Sequence, residues 1–128
     1  MSDIGLNHHL DTVGLKRYSA DEKGGAVELL SRPHADLGDR DVIVVEDVVD
    51  NGATMNFLHD YLSYLPIKPR SVKYCFLGIK NNHGPLKFST NYLGFDIEPA
   101  WIVGYGLDSG QSYRGLRDIY QKIENPEA

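Results

Sequence analysis

Fifteen consecutive residues, Asp41-Val-Ile-Val-Val-Glu-Asp-Val-Val-Asp-Asn-Gly-Ala-Thr-Met55, set carboxylates, a glycine and side-chain donors in an order suited to holding a phosphorylated sugar. Backbone N–H groups in the turn 50–54 and in the first turn of a following helix lack intrahelical partners and can point at an anion. Gly52 lets the main chain approach a phosphate closely or take positive φ, and Asn51 and Thr54 add side-chain donors. Ala53 begins the apolar-periodic segment that follows. Glu46 and Asp47 are acceptor-only when ionised, which suits the hydroxyls of a ribose ring. They would repel the phosphate itself, so they must sit where the sugar lies. A lone Asp-x-Gly-x-Thr reads most simply as an ordinary turn capping a helix; the whole run favours a phosphate site.

The elements that must position these groups follow from hydrophobic period. Residues 42–45 read as a buried strand that delivers Glu46 and Asp47 at its end. A helix is expected over about 53–65, with Phe57, Leu58, Tyr61, Leu62 and Leu65 on one stripe, stopped by Pro66 and Pro69. Residues 72–79 read as a second buried strand. The resulting β-α-β order implies parallel strands, whose carboxyl ends are where such sheets hold ligands. Lys80 then shares an edge with Glu46 and Asp47.

Upstream, residues 1–10 read as loosely ordered, 10–18 as a strand, and 19–40 as a mobile hairpin or loop with one apolar patch at 26–30. Downstream come a loop at 80–91, short strands near 92–97 and 101–103, and a glycine-rich turn over 104–110. Residues 117–123 alternate enough for a last strand, with a short helix as the alternative.

Length and composition bound the rest. The chain has 128 residues, 41% hydrophobic and 24% charged, as expected of one soluble α/β domain spanning residues 1–128. A formal charge of −5 argues against general nucleic-acid binding. No apolar stretch reaches membrane-spanning length and no signal-peptide core is evident, so a cytoplasmic address is expected. The one cysteine, Cys75, reads as a buried inert thiol, and His8-His9 as solvated.

The run 41–55 resembles the phosphoribosyl-pyrophosphate (PRPP) signature of type I phosphoribosyltransferases: four hydrophobics, Glu-Asp or Asp-Asp, two hydrophobics, then Asp-Thr-Gly-x-Thr. Asn51 stands where that family has Thr or Ser; its amide can still donate to phosphate, so altered affinity is expected before a lost site. The chain is similar in particular to the hypoxanthine–guanine phosphoribosyltransferases. Leu77-Gly78-Ile79-Lys80, Gly94-Phe95-Asp96-Ile97, Trp101-Ile102-Val103-Gly104-Tyr105-Gly106-Leu107-Asp108 and Arg114 match them in order and spacing.

The resemblance implies a Rossmann-like type I phosphoribosyltransferase fold with a mostly parallel sheet, missing part of the usual N-terminal half. It implies that Glu46, Asp47, Asp50, Asn51, Gly52, Ala53 and Thr54 bind PRPP, with Asp50 as the general base or acid at purine N7. Lys80 would donate to the purine O6, Trp101 would stack on the base, and Ile102 would meet the base edge through its backbone. Asp108 would help hold Mg²⁺ and pyrophosphate beside the base; Glu46 and Asp47 are the other candidate metal ligands. Arg114 would bind pyrophosphate.

The implied reaction joins PRPP to hypoxanthine or guanine, giving IMP or GMP and pyrophosphate in purine salvage. A non-catalytic nucleotide-binding or regulatory module, or a truncated inactive relative, is the alternative. The family's Ser-Tyr loop pair is represented only approximately, by Arg17-Tyr18-Ser19. Lys23-Gly24-Gly25 looks like the family's pyrophosphate loop, but no apolar strand precedes it, and it reads either as a coincidence or as a displaced loop. With the first reading, strand 42–45 lacks a neighbour and a homo-oligomer is expected to cover its edge.

Overall fold

The computed structural model describes residues 5–19, 21 and 25–123; the Lys23-Gly24 pair expected to be a coincidence or a displaced loop lies outside them. Two antiparallel strands, β1 (Gly14–Arg17) and β2 (Val27–Ser31), form a hairpin. The apolar patch at 26–30 thus becomes a strand. The centre is a three-stranded parallel sheet in the order β3 (Asp41–Val49), β4 (Ser71–Lys80), β5 (Tyr92–Ile97). Helix α1 (Ala53–Ser63) makes the crossover from β3 to β4. A separate pair, β6 (Ile102–Val103) and β7 (Tyr120–Gln121), closes the chain, so the segment 117–123 contributes a short strand.

Two boundaries differ from those expected, and both matter for the site. β3 runs through Val49, so Glu46 and Asp47 lie inside the strand and not beyond its end. Pairing explains this. Glu46 stays in register with Phe76 and Val48 with Gly78, and backbone hydrogen bonds to a buried neighbour outweigh the poor strand propensity of acids. Helix α1 stops at Ser63, where Tyr64 donates its N–H to Asp60 and Tyr61, two residues short of Leu65.

The buried stripe is also rotated. Met55, Leu58 and Leu62 enter the core, with Tyr61 and Leu65 packed at its margin, while Phe57 lies outside that cluster. Met55, Leu58 and Leu62 are spaced i, i+3, i+7, the tighter helical stripe. Cys75 is half-buried and free, less enclosed than expected.

The core sits between α1 and one face of the sheet: Val49, Met55, Leu58, Leu62, Tyr74, Phe76 and Ile79. Phe88 stacks on Tyr74 with ring centroids 3.8 Å apart. The Tyr74 hydroxyl also lies 2.8 Å from His59 Nδ1. Burial, and then the nearby Asp60 charge, push that phenol up to about 12. At the start of the sheet Asp41 is gripped by Arg70 and Ser71, which hold its carboxyl down to about 2 and pin the β3–β4 register. β3 forms one edge of this sheet, and Ile43 and Val45 are exposed beside it. Among the described residues no helix is long and apolar enough to cross a membrane.

Candidate active site

Parallel register decides what meets at the carboxyl edge. Val49 pairs with Ile79, so the next residues, Asp50 and Lys80, emerge side by side. Lys80 Nζ lies 3.1 Å from Asp50 Oδ1, with the lysine side chain 14% exposed and the aspartate 62% exposed. The acid therefore faces solvent while the lysine is held behind it.

Below Asp50 the chain turns through Asn51 and Gly52 into α1. Gly52 takes φ 89°, a conformation that costs a residue with a Cβ about 1–3 kcal/mol. A Cβ there would also meet Leu86 Cδ2 at 2.7 Å. The Asn51 side chain accepts from Ala53 N–H at 3.0 Å, closing a local turn. Its carbonyl oxygen thus serves the cradle while the amide nitrogen stays available as a donor. The loop from Asn81 to Asn91 buttresses this turn: Gly84 N–H donates to Asn51 O (3.0 Å), Asn56 Nδ2 to Pro85 O (2.9 Å), and Lys87 N–H to Asn56 Oδ1 (2.9 Å).

A cavity of about 250 Å³ opens over this turn. Arg17, Glu46, Asp47, Asp50, Asn51, Gly52, Thr54 and Met55 line it, together with Val48 and Val49. Asp47 N–H donates to Glu46 Oε1 and Val48 N–H to Asp47 Oδ1. Burial, followed by the adjoining Asp47 carboxyl, pushes Glu46 up to about 7. Two crowded carboxylates on the rim of this cavity suit a hard divalent cation that keeps water and takes its remaining oxygens from a bound ligand. Among the described residues no cluster of three or more His, Cys, Asp or Glu side chains could hold a metal by protein ligands alone.

The raised Glu46 has a consequence for stability. Its folded pKa lies above its unfolded value, so its contribution is fully present below about pH 4.5 and is lost as pH rises through about 7. Glu46→Gln removes this loss. At pH 8 the variant is expected to be more stable by on the order of 1 kcal/mol after solvent screening, with no gain at pH 4.5. Urea unfolding at the two pH values checks it; equal stability of the two proteins at pH 8 refutes the expectation.

From Lys80 a line of contacts runs to the second half of the site. Lys80 Nζ lies 5.9 Å from the Trp101 ring centroid. Trp101 is exposed and donates its indole N–H to Asp108 O at 3.1 Å. Asp108 Oδ1 pairs with Arg114 Nη2 at 3.1 Å, and Asp108 Oδ2 accepts from Gln111 N–H at 2.8 Å. Arg114 is fixed further by Gly106 O and Gln111 Oε1.

Asp50, Lys80, Trp101, Asp108 and Arg114 are thereby brought together, and Ile102 sits half-buried in β6 beside Trp101. Asp108 is not among the residues lining the cavity that Glu46 and Asp47 border. Arg17, expected only within the approximate loop pair 17–19, lines the cavity, and Gln111 was not expected. The alternation Val13, Leu15, Arg17 was the signal for the first; nothing local in the sequence marks the second.

No family model matches the chain. Its relatives are nonetheless consistent. It is 32% identical over 99 residues to the hypoxanthine-guanine phosphoribosyltransferase of Aquifex aeolicus, covering 77% of this chain and 54% of that protein. It is 39% identical over 101 residues to that of Mycobacterium tuberculosis, covering 79% and 49%. A hypoxanthine-guanine phosphoribosyltransferase structure from Bacillus anthracis superposes with a TM-score of 0.77 at 34% identity, over 88% of this chain and 66% of that one.

The chain belongs to the type I phosphoribosyltransferase family. A hypoxanthine phosphoribosyltransferase from Trypanosoma cruzi, solved with its product IMP, matches 98% of this chain and 64% of its own at 31% identity and a TM-score of 0.78. The parallel β3–β4–β5 sheet is thus the family's α/β fold. As a phosphoribosyltransferase relative, the chain spans about half the length of the curated proteins it matches.

Proposed function

We propose that this chain transfers the 5-phosphoribosyl group of PRPP to a 6-oxopurine, hypoxanthine or guanine, forming IMP or GMP and pyrophosphate. The observation that carries this reading is the position of Lys80, in contact with Asp50 on one side and near Trp101 on the other. A base stacked on Trp101 presents its O6 to the ammonium and its ring nitrogens to the aspartate. Such stacking is worth about 1–3 kcal/mol. The lysine favours a 6-oxo group, an acceptor, over the 6-amino group of adenine, which would face a cation unpaired.

The 5′-phosphate takes the amides behind Gly52, and the ribose hydroxyls take Glu46 and Asp47. Purine N9 forms a bond to the sugar C1 as the C1–O bond to pyrophosphate breaks, the electron pair leaving with pyrophosphate. Asp50 accepts the proton released by the purine at N7. Mg²⁺ held by Glu46 and Asp47 would neutralise charge on the leaving group. Asp108 is assigned to the base and pyrophosphate side through its pairing with Arg114. PRPP is a water-borne phosphorylated sugar, and we assign the reaction to the cytoplasm.

A spectrophotometric assay with PRPP, Mg²⁺ and hypoxanthine or guanine tests the reading. Turnover with either base and none with adenine is expected. Binding of PRPP or GMP without turnover assigns a binding module instead, and absence of both binding and turnover overturns the site.

A further inference from the structure

Between Asp108 and Arg114 the chain reverses in a two-residue hairpin turn. Ser109 and Ser112 exchange backbone hydrogen bonds, N–H to O at 3.1 Å in both directions, and Gly110 and Gln111 form the tip. Both tip residues take positive φ, 58° and 68°, as in the mirror-image turns that join such pairs. Those turns favour glycine at the second central place, because a residue with a Cβ adopts that conformation only under strain. Gln111 occupies it in this chain.

The strained position holds one contact that the side chain alone can make. Gln111 N–H donates to Asp108 Oδ2 at 2.8 Å, which the main chain does whatever side chain it carries. Gln111 Oε1 accepts from Arg114 Nη2 at 3.0 Å. Arg114 also donates from Nη1 to Gly106 O at 2.9 Å and pairs through Nη2 with Asp108 Oδ1. The arginine side chain is 49% exposed, so that ion pair by itself holds a long, rotamer-rich group weakly. With Gln111 and Gly106 on its two terminal nitrogens the guanidinium plane is set, and its remaining donors are left for an anion.

We propose that Gln111 is a positioning residue for pyrophosphate, acting through Arg114; this rests on the phosphoribosyltransferase reading given above. Gln111 itself need not touch the ligand. A guanidinium already held in one plane meets a pair of phosphate oxygens without losing further side-chain freedom, so binding is tighter. The hairpin tip keeps a strained residue because glycine there would leave the cation loose.

Two variants separate backbone from side chain. Gln111→Gly relieves the strain and keeps the N–H to Asp108 while deleting the Oε1 contact; Gln111→Met deletes the same contact but keeps the strain. Thermal melts and isothermal titration of the 128-residue chain with Mg²⁺ and either pyrophosphate or ribose 5-phosphate read the outcome. In Gln111→Gly the melting temperature is expected to hold or to rise by up to roughly 5 °C, and in Gln111→Met it should not rise. Pyrophosphate is expected to bind about 3- to 10-fold more weakly in both, as one lost hydrogen bond implies. Ribose 5-phosphate, assigned to the distant Gly52 turn, is expected to change less than about twofold. Unchanged pyrophosphate affinity in either variant overturns the proposal, as does an equal loss for ribose 5-phosphate. A lower melting temperature in Gln111→Gly also overturns it, by making the glutamine a folding residue. If the unaltered chain binds neither ligand, the phosphoribosyltransferase reading falls and this proposal with it; normal binding indifferent to Gln111 removes this proposal alone.

Discussion

Asp50→Asn is expected to lower turnover by about 10²- to 10⁴-fold while leaving PRPP affinity within a few-fold. Asn keeps the shape and a hydrogen-bonding oxygen toward Lys80 but cannot take the purine's proton at neutral pH. Stability should scarcely move, because the Asp50 side chain is 62% exposed and an ion pair in that setting is worth under about 1 kcal/mol. Steady-state rates beside calorimetry and a thermal melt separate the effects. Retained turnover, or loss of PRPP binding together with turnover, contradicts the role.

Gly52→Ala attacks the cradle itself. The residue sits at φ 89°, so the backbone term costs about 1–3 kcal/mol. The Leu86 methyl that a Cβ would meet can rotate away, which leaves the backbone as the larger part. The melting temperature is expected to fall by roughly 5–10 °C. If the turn relaxes to negative φ instead, the amides no longer converge, and affinity for PRPP should drop at least about tenfold. A variant with unchanged melting temperature and unchanged PRPP affinity would mean that the turn does not need this conformation.

These expectations rest on a site whose pieces were unevenly legible in the sequence. The 41–55 run exposed the cradle because local chemistry, an acid pair and a glycine turn at fixed spacing, is written contiguously. Lys80 was legible because it ends an apolar strand. The true length of β3 was not, since Glu46, Val48 and Val49 are held by pairing to β4 and acids inside a strand mimic a strand end. The rotated stripe of α1 had the same origin: Phe57 and Met55 both satisfy a helical period, and only the shape of the sheet selects Met55. The hairpin β1–β2 was half legible, its second strand surrounded by Gly, Asp, Ser and Pro that read as loop. Gln111 could not have been found, because its role arises when a turn folds Asp108 against Arg114.

The crossover from β4 to β5 carries no helix; its polypeptide instead reaches across to Asn51 and Asn56. One scaffold segment thus serves both ends of the ligand. It leaves the sheet directly after the lysine assigned to the nucleobase, and it braces the floor assigned to the sugar's phosphoryl group. Changes at Gly84, Pro85 or Lys87 will therefore be felt as altered phosphoryl affinity from residues that need never touch the ligand.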